Sequence, residues 1–306
     1  MRLVLLLCLL LACTTPKDAT ANQVDVAVSI PPLHSLVAAV MEGVAAPYLI
    51  IQGTQSPHAF SLKPSAARAL QKAGIVFWVG PQLESALRRP IRKIATSAKI
   101  VEISSLSGIE LLKLREDEHS KDHGHDHNHG HNRTAFDMHL WLAPKNAMSI
   151  VSSVVQSLSE QFPSKSAEFK KNGARTLARL SELEAALRAK LSGAQQARVA
   201  VFHDAFQYYE QAFGLSAPLV INVNPEHRPS AARVRSIERH LKSRNITCVF
   251  AEPQFNAQHL KVYTADGRRT LATIGPLGSG LKPGKDLYFQ MMHSLADGIT
   301  GCVQSG

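Results

Sequence analysis

Six histidines crowd the stretch from Glu118 to Arg133, as His119, His123, His125, His127, His129 and His131, interleaved with Asp122, Asp126, Gly124, Gly130, Asn128 and Asn132. Neutral imidazole is the commonest protein ligand for zinc and also suits copper and nickel, so residues of this type at this density point to a transition metal. The run has no core-forming residues and reads as a mobile, solvated loop. A mere solubilising insertion is the bland alternative, but such tracts are more usually built from Glu, Lys or Ser.

Three other histidines differ in kind. His58 lies in Ser56-Pro57-His58-Ala59-Phe60, just beyond a strand-like run; His139 sits inside Asp137-Met138-His139-Leu140-Trp141-Leu142, which reads as a short buried strand; His203 follows Val199-Ala200-Val201-Phe202. Open α/β sheets bind ligands in the loops at the carboxyl ends of their strands. One such histidine is most often a satisfied core residue. Three together make a cleft site with three nitrogen ligands the better reading. His34, after Pro31-Pro32-Leu33, also reads as a strand-end residue and is kept as a possible fourth ligand or a donor behind the ligands. His227 reads as an exposed loop residue, and His240, His259 and His293 have no partner pattern.

Competing chemistry is poorly represented. The chain has no His-Glu-x-x-His helix, no Gly-x-Ser-x-Gly elbow and no Gly-x-Gly-x-x-Gly turn. Asp204 and Glu252 could serve as bases, but they read better as groups that orient neighbours, Asp204 also as a helix cap and Glu252 as a structural carboxylate at its strand end.

The elements that must position these residues alternate. Val24 to Ile30 reads as a strand stopped by Pro31-Pro32, Ser35 to Met41 as a helix, Ala46 to Ile51 as a second strand, and Ser65 as the cap of a helix running to Lys72. Gly74 to Gly80 and Lys99 to Ile103 are apolar runs of the kind a parallel sheet buries. A charged amphipathic stretch from Pro163 to Gly193 then carries Phe169, Leu177, Leu180, Leu183, Leu187 and Leu191 at helical intervals. A second alternating region follows, with strands at Arg198 to Phe202, Pro218 to Ile221 and Ile246 to Phe250, and helices from Ser230 to Ser243 and Asp286 to Ala296. The fold class is α/β: two α/β lobes with parallel-type sheets, joined by one long rigid helix. The expected domains are a signal peptide over 1–21, a first lobe over 22–162 with its His-rich acidic loop at 116–133, the linking helix over 163–193 and a second lobe over 194–306.

Met1-Arg2 followed by the apolar Leu3 to Ala12 forms a basic region and a hydrophobic core too short to span a bilayer, hence a secretory signal. Ala19-Thr20-Ala21 offers a cleavage site before Asn22, and Leu10-Leu11-Ala12-Cys13 offers a lipobox; the first is favoured because Leu11 is uncommon just before the small residue of a lipobox. Of four cysteines, Cys8 and Cys13 belong to this leader, leaving Cys248 and Cys302 as an expected disulfide in an oxidising compartment. The formal net charge is +10, but the basic residues are spread rather than clustered, which gives nucleic-acid binding little support.

At these residues the chain resembles the ZnuA-like zinc-binding proteins of bacterial high-affinity zinc ABC importers, within the metal-specific solute-binding proteins. The likeness spans essentially the whole mature chain. It is carried by Pro57-His58 with Ser61-Leu62-Lys63-Pro64-Ser65, by Asp137 to Leu142, Val201 to Ala205, Asn224-Pro225-Glu226, Ala251 to Phe255, and Gly275-Pro276-Leu277-Gly278. The resemblance implies a metal between the lobes held by His58, His139 and His203, an acidic-His loop beside the cleft, and the Cys248–Cys302 bond of the zinc members. Two positions depart from the pattern: Gly275 stands where Asp is common, and Pro57 where some zinc members have Glu. Water, or His34, would then complete the site. An all-histidine set favours zinc over manganese.

The expectation is therefore a monomeric periplasmic receptor whose transported ligand is Zn2+ and whose partners are a membrane permease and its ATPase, with no nucleic acid and no catalysis. A manganese or iron receptor of the same architecture is one alternative, disfavoured by His203 where those members usually carry Glu. An extracytoplasmic zinc hydrolase is the other.

Overall fold

The computed structural model describes residues 25–115, 135–222 and 230–305. The expected signal peptide, the six-histidine run, His227 and the Asn224-Pro225-Glu226 motif lie outside the described residues.

The first lobe runs β1 (Val26–Val28), α1 (Pro31–Val40), β2 (Tyr48–Leu49), α2 (Pro64–Lys72), β3 (Ile75–Trp78), α3 (Arg88–Ile94) and β4 (Lys99–Glu102). Its sheet is wholly parallel in the order β2-β1-β3-β4. Two long antiparallel-connected helices follow, α4 (Pro144–Gln161) and α5 (Ser166–Lys190). The second lobe comprises β5 (Val199–Val201), α6 (Gln207–Phe213), β6 (Leu219–Val220), α7 (Ala231–Ser243), β7 (Cys248–Ala251), β8 (Thr270–Thr273) and α8 (Leu287–Ser305). Its sheet is parallel in the order β6-β5-β7-β8, the same winding as the first. Strands covered on both faces need no polar alternation, which is why β3 reads Ile-Val-Phe-Trp and is buried throughout.

The linking helix is present as a 3₁₀ turn, Pro163–Lys165, followed by the 25 residues of α5, about 38 Å of helix at the standard rise. Phe169, Leu180, Leu183 and Leu187 form its buried stripe. Gly173 lets α4 approach, since a Cβ there would overlap the Cγ2 of Val155. One apolar cluster runs from the first sheet through α1, α4, α5 and α8 to Val201 and Phe250 of the second sheet. No helix among the described residues is long and apolar enough to cross a membrane.

Several local expectations are corrected. Pro31 and Pro32 open α1 instead of only ending a strand, because proline lacks the N–H that the first helical turn leaves unpaired anyway. Pro64 does the same for α2, whose cap position is Lys63, so Ser65 lies inside the helix and is not its cap. Ser230 does cap α7, its hydroxyl accepting from the Arg233 backbone N–H. The segment around His139 is no strand: Leu140–Leu142 is a 3₁₀ turn, held by Asn146, whose side-chain amide donates to the carbonyls of Leu140 and Glu110. Its continuous apolar character reflects burial alone, which short helical turns and strands share. Cys248 and Cys302 are bonded, with their Cα atoms 6.0 Å apart, tying β7 to α8.

Candidate metal centre

Each of the three histidines comes from a different kind of support. His58 stands in the loop after β2, with its backbone N–H on the Ser56 hydroxyl at 3.3 Å. His139 is the N-cap residue of the 3₁₀ turn, and His203 directly follows β5 and Phe202. The fold brings them together: one donor atom from each lies within 4.8 Å of the others. Their ring centroids are 5.2 Å (His139 to His203), 5.6 Å (His58 to His139) and 6.0 Å (His58 to His203) apart.

Two of the rings are held by buried carboxylates. His139 Nδ1 meets Asp137 Oδ1 at 2.7 Å, and the same oxygen accepts from the His139 backbone N–H at 2.9 Å. His203 Nδ1 meets Glu252 Oε1 at 2.6 Å, Glu252 being 2% exposed. An ionised carboxylate only accepts, so each Nδ1 carries the ring proton and each neutral ring turns a bare Nε2 lone pair outward. These two Nε2 atoms face each other at 3.4 Å. Two lone pairs at that separation repel unless a cation sits between them.

The local electrostatics follow from burial and these partners. Desolvation, with the neighbouring His139 and His203, drives the His58 pKa down to about 3 and keeps that ring neutral. Burial alone would lower His203 as well, but the Glu252 charge and hydrogen bond, with Asp137 and Asp204 behind, leave its pKa raised. Asp137 is pushed up by desolvation, yet His139 outweighs this and holds it low. Trp141 packs edge-on to His139 at 5.4 Å and Phe255 edge-on to His203 at 5.4 Å. Pro57, Gln254, Pro276 and Leu277 complete the wall around a space of about 10 Å³. That is room for roughly one water-sized sphere, which suits a monatomic ion.

His34 is not part of this group. It lies within α1, where its Nε2 meets the Pro47 carbonyl at 3.0 Å, because the helix begins at Pro31 and not at Ser35. His240, with Nδ1 on the Ser236 carbonyl, is likewise remote from the cluster. Asp204 caps no helix; it is ion-paired with Arg115 Nη1 at 3.2 Å. Asp137 is the functional neighbour that the sequence reading left without a role, although its spacing two residues before His139 is the visible sign of it. Trp141 and Tyr208 carried no comparable signal: both tie the centre to the opposite lobe, through Trp141 Nε1 to the Pro276 carbonyl at 2.7 Å and Tyr208 Oη to the Asp137 carbonyl at 2.7 Å.

Residues 26–302 match the family model described as zinc-uptake complex component A, periplasmic (ZnuA). The chain belongs to the ZnuA family. It is 37% identical to the high-affinity zinc uptake system protein ZnuA of Brucella abortus (strain 2308), over 94% of each chain. The ZnuA protein of Yersinia pestis is 32% identical, over 91% of each chain. A crystal structure of a ZnuA superposes with a TM-score of 0.76 at 22% identity, covering 91% of this chain and 98% of that one, which establishes the shared fold. Against the ZnuA pattern, Gly275 has a local rationale. A Cβ there would stand 3.2 Å from Pro253 Cδ, so any side chain at this position would need the Pro253 ring to shift by a few tenths of an ångström.

Proposed function

We propose that this chain is a periplasmic receptor that captures Zn2+ through the Nε2 atoms of His139 and His203 together with an imidazole nitrogen of His58, and presents it to a membrane permease with its ATPase. The observation that carries this reading is the pair of carboxylate-backed imidazoles with opposed Nε2 lone pairs 3.4 Å apart. Zinc–nitrogen bonds of about 2.0–2.1 Å in a tetrahedron place neighbouring nitrogens roughly 3.3–3.4 Å apart, so the separation already suits the ion. The all-nitrogen donor set favours zinc over the harder manganese and calcium, which prefer oxygen. Gly275 offers no side chain to the fourth position, which water completes. The role is capture and release, not turnover, in keeping with the zinc-uptake family to which the chain belongs. The signal peptide over 1–21, the lobe boundaries at 162 and 194 and the His-rich loop over 116–133 remain part of this reading, the loop acting as a weaker collector of the same ion.

Calorimetric titration with Zn2+ against a competing chelator tests it. His139→Ala and His203→Ala should each weaken binding well beyond the roughly 10- to 100-fold expected for loss of an outer partner, whereas His240→Ala should leave it unchanged. Retention of parental affinity by either cleft variant would refute the assignment.

A further inference from the structure

The segment just before residue 116 and the one just after residue 134 form a short antiparallel ladder in the first lobe. Leu114 N–H donates to the Ala135 carbonyl at 3.0 Å, Asp137 N–H donates to the Leu112 carbonyl at 2.8 Å, and Lys113 bridges Phe136. The second lobe reaches this ladder twice. Tyr208 of α6 accepts from the Leu112 N–H at 2.9 Å and donates to the Asp137 carbonyl at 2.7 Å, so one phenol spans both strands. Arg115 in turn crosses to the second lobe, pairing with Asp204 at 3.2 Å and with Glu210.

Both ends of this crossing stop at the metal centre. Asp137, whose backbone is held by Tyr208, is the residue that orients His139 through its carboxylate. Asp204, held by Arg115, is covalently next to His203. Other polar ties between the lobe regions run elsewhere, among them Trp141 to Pro276, Tyr288 of α8 to Trp141 and Ser35, and Lys285 to Glu42. We propose that Arg115 and Tyr208 form an interlobe clasp that holds His139 and His203 at their binding separation and sets how fast the ion leaves. The inference rests on the receptor reading above and adds the positioning residues that govern release.

The clasp is built from partly to fully buried groups, where charge pairing is little screened: the side chains of Arg115, Asp204 and Glu210 are 25%, 21% and 9% exposed. One guanidinium serves two carboxylates, and burial pushes Glu210 up to about 7 even with Arg115 beside it. Without Arg115, Asp204 and Glu210 lose the cation that joins them to the ladder, and only the Tyr208 hydrogen bonds still hold α6 against it. His203 moves with α6, and His139 stays with the ladder. Release accelerates because the two Nε2 atoms separate, while the ligands themselves are untouched.

Stopped-flow release of Zn2+ from the intact chain into excess chromophoric chelator tests this, with variants Arg115→Met, Arg115→Lys, Glu210→Gln and Tyr208→Phe. Coupling across such contacts typically changes an equilibrium or rate by roughly tenfold. Arg115→Met and Tyr208→Phe should each speed release by about that factor with association unchanged, and Arg115→Lys should recover part of it. Arg115→Met combined with Glu210→Gln should cost less than the product of the two, since they break one pair. Lys99→Met, which breaks the exposed pair with Glu160 far from α6, should release at the parental rate. If Arg115→Met fails to fold, Tyr208→Phe decides alone, because it removes one oxygen and no charge. Parental release rates in folded Tyr208→Phe and Arg115→Met overturn the clasp while leaving the receptor reading intact. A parent chain that binds no Zn2+ tightly would take down both.

Discussion

The two lobes wind their sheets identically and even begin with the same three residues, Val26-Ala27-Val28 and Val199-Ala200-Val201, yet they are anchored differently. In the first lobe both faces of the sheet belong to one cluster, so Val26, Ala27 and Val28 all share a core with α1, α4 and α5. In the second lobe the faces part. Val201, Cys248 and Phe250 join that shared core, whereas Ala200, Phe202, Val249 and Ala251 pack into a small separate cluster with Ile237 and Leu241 of α7, Leu260 and Tyr263. A sheet with one face in a small satellite layer has less packing to hold it, and here a covalent bond, Cys248 to Cys302, fastens the inner strand β7 to α8. The two carboxylate-backed histidines inherit the asymmetry. His139 is part of the heavily packed region, and His203 follows a strand of the lighter one.

The largest way to break this comparison is to cut that bond. A cross-link spanning 54 residues should contribute about 4 kcal/mol in the chain-entropy account. The Cys248→Ala, Cys302→Ala double variant should lose about that much in denaturant unfolding, with native-state hydrogen exchange rising first in β7, α7 and α8 while β1 and β3 stay protected. Uniform acceleration in both lobes would mean that the shared core, and not the disulfide, is what couples them.

How far the asymmetry could be read in advance is instructive. The parallel lobes and the linking helix were legible because strands covered on both faces give apolar runs and α5 gives an amphipathic period. The gathering of His58, His139 and His203 was legible because strand-end positions of α/β sheets converge on a cleft, although any one of the three alone would more often be a core residue. The shape around His139 was not, since Met138 to Leu142 is apolar whether it forms a strand or a 3₁₀ turn. His34 was misplaced because Pro31-Pro32 reads both as a strand stop and as a helix start, and local pattern does not choose between them. The pairing of β5 faces with two different clusters, and the reach of Tyr208 and Arg115 across the cleft, depend on contacts about a hundred residues apart, which no local pattern encodes.

A sharper comparison sets the two carboxylate-backed rings side by side. Asp137→Asn in the first lobe and Glu252→Gln in the second each keep the side-chain shape but replace a charged acceptor with a neutral amide that can also donate. Each should weaken Zn2+ binding roughly 10- to 100-fold by calorimetry, since outer partners fix the tautomer and raise the basicity of a ligand histidine. If the second lobe is the looser one, Glu252→Gln should also slow the return to the bound form after dilution from chelator, and Asp137→Asn should not. Parental affinity in both variants would show that Nδ1 pairing does not orient the ligands.

The smallest effect separates His58 from His203 by proton competition. A zinc ligand must be unprotonated, so each histidine weakens binding only once the pH falls toward its own pKa in the metal-free protein. The pKa of His58 is driven down to about 3 by burial, so it takes up no competing proton across the range in which the fold is ordinarily handled. His203 is the reverse case: the Glu252 carboxylate more than offsets its burial and raises its pKa above the usual 6.5. Proton competition from His203 therefore begins while the pH is still above 6.5, and affinity should fall by up to about tenfold per pH unit below that onset for this one proton. Glu252→Gln removes the charge that raises His203, so the onset should move to lower pH even as the overall affinity drops. His58→Ala, by contrast, should weaken binding without shifting the onset at all. A titration from pH 8 to pH 5 reads both quantities at once, and an onset that moves with His58→Ala but not with Glu252→Gln would place the titrating ligand in the first lobe.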